Sequence, residues 1–339
     1  MLRTHRERPS CPGPAPAPAT TAVPTSAPAR GAPLSRARGL ALAALASWAA
    51  LASLVATPAL AAPLPVGELE LRCWLSHTRE RTKPNLRETT TVDFSTLRDG
   101  MAVRSPVAVD FAVRGMGVAP AGVNIEGTGH HHLLVDRSLP YGVGEKLPFD
   151  DSHRHFGKGQ TGSVLDLPPG RHTLRLLFAD HDHRPYYVYS REIQINVRGA
   201  RSNTGKPQID PARFAETCAA WHADELSTPP PPDEPLRIHN VRANEPLVSP
   251  FNLRLGVNGM GICASGGKAE NTGHFLLELL DARSRQPLQV FRLTNGATQV
   301  NVFAANGDYV ARLRLLGADG NNLLPPHELP LRVARQEAL

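Results

Sequence analysis

An internal duplication constrains this chain more than any other feature. Residues 105–130 align without a gap with residues 249–274, at a constant offset of 144. Ser105-Pro106 recurs as Ser249-Pro250, Gly115-Met116-Gly117 as Gly259-Met260-Gly261, and Thr128-Gly129-His130 as Thr272-Gly273-His274. With Val113/Val257, Gly122/Gly266 and Glu126/Glu270, that makes 11 identities in 26 positions. The correspondence continues with small shifts, pairing Thr161 with Thr298, Gly170 with Gly307 and Glu192 with Glu328. Upstream, Cys73-x-x-x-His77-x-x-Glu80 matches Cys218-x-x-x-His222-x-x-Glu225. A period of about 120–145 residues means two similar domains, because solenoid repeats are far shorter.

Each copy carries the patterning of β structure. Residues 107–113 and their counterparts 251–257 read as strands, and so do residues 132–135. The Gly-Met-Gly after each first strand marks a bend where a side chain has no room. Segments 163–167 and 172–178 flank Pro168-Pro169-Gly170, a turn between strands. Ile193, Ile195 and Val197 share one strand face, as do Leu329, Leu331 and Val333 at the end of the second copy. Between the copies, Phe214, Cys218, Trp221 and Leu226 lie near helical spacing, so a short helix is expected over 211–226, and Pro229 to Pro232 forms a stiff spacer. Pro at 32 and Gly at 28, with aromatics at 5%, agree with turn-rich β structure. The expected fold class is all-β: two tandem immunoglobulin-like β-sandwich domains joined by a short helical, proline-rich linker. The boundaries read as a leader over 1–61, a first sandwich over 62–200, a linker over 201–232 and a second sandwich over 233–339.

The leader is read from charge and hydropathy. Arg36 and Arg38 precede an apolar run from Leu40 to Val55, and Ala59-Leu60-Ala61 supplies a small-x-small cleavage site. The run is about 16 residues and lacks a basic stop-transfer flank, so a cleaved signal peptide is expected, with no transmembrane anchor after cleavage. The Pro/Ala-rich residues 1–35 have no counterpart in an ordinary signal peptide and suggest a start site assigned too early. The mature protein is expected in the periplasm. The formal charge of +6 belongs mostly to the leader. Residues 1–61 hold Arg3, Arg6, Arg8, Arg30, Arg36 and Arg38 against Glu7, leaving 31 basic and 30 acidic residues in the remainder. A nearly neutral mature chain argues against a nucleic-acid partner.

Cys11 lies in the leader, leaving Cys73, Cys218 and Cys263. Three cysteines allow one intrachain disulfide, either Cys73 with Cys218, which occupy matching places in the duplication, or Cys218 with Cys263. No C-x-x-C occurs, so neither a thioredoxin-like site nor covalent haem is indicated.

Histidines concentrate in the first copy. Eight of the chain's 14 lie between positions 130 and 183, three of them consecutive at His130, His131 and His132. In a strand, His130 and His132 share a face and His131 takes the other. His131 stands where the second copy has Phe275, which marks it as a core position. His153/His155 and His181/His183 repeat the alternate spacing, and His172 lies in the strand after the proline-glycine turn. Convergence of such pairs would make a site for copper or zinc. The expected ligands are His130, His132, His155 and His183, with His153, His172, His181 and Asp180 in reserve. Asp136, Asp151 and Asp182 are candidates to hold a ligating ring by its other nitrogen. The second copy keeps only His274, so no second site of this kind is expected. The segment from His155 to Thr161 is glycine-rich but lacks the spacing of a phosphate loop, and no G-x-S-x-G nucleophile motif occurs.

Together, Gly127-Thr128-Gly129-His130-His131-His132-Leu133-Leu134, His155-Phe156-Gly157-Lys158-Gly159-Gln160-Thr161 and Leu167-Pro168-Pro169-Gly170-Arg171-His172-Thr173-Leu174 resemble the bacterial exported family known as domain of unknown function 4399. Gly115 to Gly122 fits as well, and the resemblance covers roughly residues 92–197. It implies export and a domain boundary, with no established activity. Asp180, His183 and Pro185 follow the family pattern, but Tyr186 stands where that pattern places a further histidine. The leading expectation is an exported protein that binds copper or zinc through the first copy. A metal-free scaffold for a cell-envelope partner is the alternative. A metal-dependent enzyme is the third reading, with Glu126 or Asp180 as its only acid-base candidates.

Overall fold

A computed structural model describes residues 66–335 except 85, 87–89, 140 and 143, so the expected leader lies outside the described residues. The described residues form one compact unit built from two β-sandwiches of the same topology. In the first sandwich, a three-stranded sheet orders Thr91–Phe94, Val107–Arg114 and Gly162–Leu165. It faces a larger sheet that orders Ala102–Ser105, Ile193–Ala200, Gly170–Ala179, Thr128–Val135 and Gly117–Val118. His153–His155 adds to Thr128–Val135, and Pro185–Tyr189 adds to Gly170–Ala179. The second sandwich repeats this plan, with Leu236–Ile238, Phe251–Val257 and Gln299–Val302 in one sheet. Its other sheet orders Pro246–Leu247, His327–Val333, Gly307–Leu316, Thr272–Asp281 and Gly261–Ile262, with Pro287–Arg292 at the side. Among the described residues, Pro185–Tyr189 has no counterpart in the second sandwich.

The duplicated glycines show why the pattern recurs. Gly115 and Gly259 hold φ of 76° and 74°, left-handed backbone that suits a residue without Cβ. Gly117 and Gly261 serve a different purpose. A Cβ on Gly117 would lie 1.5 Å from the Asn295 carbonyl oxygen, and one on Gly261 would lie 1.8 Å from that of Lys158. Each sandwich therefore presses its Gly-x-Gly strand against a glycine-bearing loop of the other. The amide of Val118 donates to the Gly296 carbonyl at 2.9 Å, and the amide of Ile262 donates to the Gly159 carbonyl at 2.7 Å. The matching threonine Thr161 reaches across as well, accepting from the Val257 amide at 3.0 Å. The glycine-rich stretch 155–161 is thus half of a reciprocal joint between the sandwiches.

Apolar packing runs through that joint as one core, from Phe111, Leu133 and Phe178 in the first sandwich to Phe251, Phe275 and Leu313 in the second. Asp110 and its counterpart Arg254 also face it. Asp110, only 4% exposed, accepts from Arg237 Nη2 at 2.7 Å, which meets the cost of burying its charge.

Three helices form a satellite layer: α1 (Val66–Ser76), α2 (Thr78–Thr82) and α3 (Phe214–Ser227). The linker helix expected over 211–226 is present as α3, preceded by a short 3-10 turn. The helices α1 and α2 precede the first strand of the first sandwich, Thr91–Phe94. Leu69, Cys73 and Trp74 recur at helical spacing and pack with Ile209, Cys218, Trp221 and Leu226 in a core of their own. Cys73 and Cys218 form the disulfide, so the Cys218–Cys263 alternative does not occur, and Cys263 is free and buried. Trp74 lies between the guanidiniums of Arg81 and Arg242, 3.7 and 3.8 Å from its ring, and its Nε1 donates to Glu245 at 2.8 Å. Among the described residues, no helix is long and apolar enough to cross a membrane.

The joint yields a steric prediction. Gly261→Ala lowers stability by at least about 3 kcal/mol, because the added methyl meets backbone that cannot swing away. Gly122→Ala meets nothing within 4 Å and carries only the cost of its left-handed φ of 81°, about 1–2 kcal/mol. Urea unfolding of both variants checks this, and equal losses would contradict it.

Candidate metal centre

The histidine strand Thr128–Val135 lies in the middle of the larger sheet and is buried along its whole length. Its alternation sorts the three imidazoles. His131 points between the sheets, with ring centroids 5.1 Å from Phe111 and 5.0 Å from Phe178. It takes the role of Phe275 in the second copy, and neither of its ring nitrogens has a hydrogen-bond partner. Burial drives its pKa down to about 3 from an ordinary value near 6.5.

His130 and His132 occupy the opposite face, 0% and 1% exposed. Their Nε2 atoms share a hydrogen bond at 3.0 Å, so one ring donates and the other accepts. The strand His153–His155 pairs with this strand and sets His155 directly across from His132. His155 lies 5.0 Å, centroid to centroid, from both His130 and His132. Its ring fits because residue 157 is glycine, where a Cβ would come within 2.2 Å of the imidazole. One potential ligand nitrogen from each of His130, His132 and His155 falls within 4.8 Å of the others. Nδ1 of His130, Nδ1 of His132 and Nε2 of His155 are buried without a hydrogen-bond partner.

His183 closes the group, 5.2 Å from His130 and 4.9 Å from His155. It sits in a tight turn with φ of 68°. Asp180 Oδ1 holds that turn by accepting from the amides of Asp182 and Arg184 at 2.9 and 2.8 Å. Asp180 therefore orients His183, and its Oδ1 is already engaged. Phe149, exposed by 56%, covers the group from outside, stacking on His155 at 4.5 Å and meeting His183 edge-on at 4.9 Å.

The remaining reserve histidines lie elsewhere. His153 is held by Asp150 at 2.7 Å and the Tyr141 hydroxyl at 2.6 Å. Both nitrogens of His172 are engaged, with Asp136 at 2.8 Å and the Pro168 carbonyl at 2.9 Å. His181 contributes its carbonyl, which accepts from the Gly122 amide at 2.8 Å. Asp136 and Asp182 do not orient ligands either: Asp182 pairs with Lys146 and Arg184. Asp151 meets Arg154. Tyr186 donates its hydroxyl to the Thr128 carbonyl at 3.0 Å, tying the turn to the start of the histidine strand. Phe149 and Gly157 were not singled out in sequence. Gly157 had a signal in the glycine-rich stretch, whereas a lone exposed phenylalanine had none.

The electrostatics favour neutral rings. Burial, then the neighbouring imidazoles, lower the pKa of His130 to about 3 and of His132 to about 2. The same causes push His155 down. At neutral pH these rings carry lone pairs free of protons, the form that coordinates a metal.

With this geometry in place, the comparisons can be stated. The family model for the domain of unknown function DUF4399 matches residues 109–198. All four clustered histidines lie inside the DUF4399 segment, as does the hairpin that docks on the second sandwich. No curated protein matches the sequence. Among solved structures, the fibronectin(III)-like modules of Clostridium thermocellum CbhA share 12% identity, covering 33% of this chain and 100% of that one, with a TM-score of 0.19. CopC from Methylosinus trichosporium OB3b shares 17%, covering 29% and 89%, with a TM-score of 0.18. The chicken tenascin segment of two fibronectin type-III domains shares 8%, covering 72% and 99%, with a TM-score of 0.19. These are likenesses of fold.

The two faces of the histidine strand separate in a single substitution. His131→Phe copies the second sandwich, removes two unpartnered nitrogens and stabilises the protein by about 1–3 kcal/mol. The unfolded chain protonates this histidine below pH 6.5 while the folded one resists to about pH 3, so wild-type stability falls with acid across that window. The advantage of the phenylalanine variant therefore widens as pH drops below 6.5. Thermal melts at neutral and mildly acidic pH check this, and a variant less stable than wild type at both would contradict it.

Proposed function

We propose that the protein is an exported, periplasmic metal binder that takes one copper or zinc ion at His130, His132, His155 and His183. The observation that carries this reading is that His130, His132 and His155 each bring one ligand nitrogen within 4.8 Å of the others, in rings that each keep a buried nitrogen without a hydrogen-bond partner. Leaving such atoms unsatisfied costs about 1–3 kcal/mol each, and one ion about 2 Å from a nitrogen of each ring would engage all three rings at once. Imidazole suits copper and zinc alike, and copper binds more tightly in the divalent series.

The remaining residues fit storage, delivery or sensing of the ion. Phe149 covers the site without sealing it. Neither carboxylate considered as an acid-base group serves that role here: Asp180 is committed to its turn, and Glu126 is exposed outside the cluster. Export is supported by the charged, apolar and small-residue order before Ala62 and by the Cys73–Cys218 disulfide, which persists in oxidising compartments.

The full chain is expected to bind one equivalent of Cu(II) or Zn(II) by calorimetry. His132→Ala weakens that binding at least about tenfold, on the scale by which even outer partners of a ligand matter. His274→Ala, the matching change to His130 in the second copy, leaves it unaltered. No stoichiometric binding, or binding indifferent to His132→Ala, would sink the proposal.

A further inference from the structure

The repeated Cys-x-x-x-His-x-x-Glu motif plays no part in the histidine centre. Its two copies meet in the helical layer. Spacing of four residues puts Cys218 and His222 on one side of α3, His77 stands between α1 and α2 just after the last residue of α1, and the disulfide joins α1 to α3. His77 Nε2 lies 3.7 Å from Cys218 Sγ, and the ligand atoms of Cys73, His77 and Cys218 all fall within 4.8 Å of one another. The His77 ring stacks flat on His222 at 4.1 Å, and its Nδ1 lies 3.5 Å from the Glu80 carboxylate. A carboxylate behind one nitrogen with the other aimed at sulfur is how a coordinating histidine is oriented. His222 is not a fourth donor, because its Nε2 meets Arg81 Nη1 at 3.2 Å.

We propose that Cys73, His77 and Cys218 form a second metal site, closed while the disulfide stands and opened to a thiophilic cation of the zinc class when a dithiol reduces it. The dithiol supplies two electrons and two protons: the Cys73–Cys218 bond breaks, each sulfur gains a hydrogen, and the dithiol closes into its own disulfide. Metal binding then releases both protons to solvent. Two thiolates balance the charge of a divalent ion, the imidazole adds a neutral ligand, and water takes the fourth position. The donors stay together without the bond. Leu69, Trp74, Ile209, Trp221 and Leu226 pack the helices around them, and Glu245 ties Trp74 and Arg81 to the second sandwich. Cys73 is fully buried and Cys218 is 3% exposed, but the His77 side chain is 29% exposed and marks the side from which a reductant and an ion approach.

The test uses the full chain carrying Cys11→Ala and Cys263→Ala, so that every thiol belongs to the pair. The protein is reduced anaerobically with dithiothreitol, desalted and titrated with Co(II). Two thiols should appear while the far-ultraviolet circular dichroism stays native, and one equivalent of Co(II) should produce a thiolate-to-cobalt charge-transfer band that the oxidised protein lacks. The histidine centre contains no sulfur and cannot supply that band. His77→Gln should weaken the affinity read from the band at least about tenfold with both thiols still present. In the protein with His77 intact, Zn(II) should slow alkylation of both thiols. Thiols that appear only on unfolding, thiols without a band or without zinc protection, or a band indifferent to His77→Gln would each overturn the proposal.

Discussion

The structure depends on two close backbone approaches. Gly117 lies against the loop at Asn295-Gly296, and Gly261 lies against the loop at Lys158-Gly159, with no room for a Cβ at either place. Because each sandwich gives one strand and receives one loop, the two copies face each other as the halves of a homodimer do. The same hairpin that reaches the second sandwich through Gly159 begins with His155 and buries Phe156 against Phe111 at 4.6 Å. The histidine centre is therefore braced by the copy that lacks it. Duplication followed by divergence left one half with the donors and the other with the surface that steadies them.

Burial decides what the clustered imidazoles can be. Desolvation and mutual repulsion keep His130 and His132 neutral far below physiological pH. Neutral rings packed this closely satisfy one another only once: a single hydrogen bond joins His130 to His132 through their Nε2 atoms, and Nδ1 of each is buried without a partner. Such an arrangement is costly in a folded core unless something else occupies it. His131 shows the contrast, since its unpartnered nitrogens face phenylalanine rings and converge with no other donor.

The helical layer uses charge differently. Glu245 is surrounded by donors from Trp74, Arg81 and the Arg242 amide, and Asp224 accepts a two-pronged contact from Arg104 at 2.8 Å. These buried ions are paired, so they fix the position of α1 and α3 against the sandwiches. A disulfide set among them joins segments that are already held in place.

Much of the architecture was legible in the residues. The constant offset of 144 required two like units, strand alternation made them β, and the same alternation assigned His131 to the core and His130 with His132 to the other face. Helices α1 and α2 were hidden because they are short and adjoin the apolar leader, and their one signal was the motif shared with α3. Which histidines converge depended on pairing that local pattern does not encode. His153 and His155 have the same spacing as His130 and His132, yet register brings His155 opposite His132 and leaves His153 with Asp150 and Tyr141. The sequence by itself determined the repeat, the fold class and the faces of each strand, because these follow from short-range periodicity. Only the tertiary structure decided which rings meet, that Cys73 pairs with Cys218, and that the glycines serve a joint, because those depend on contacts between residues far apart in the chain.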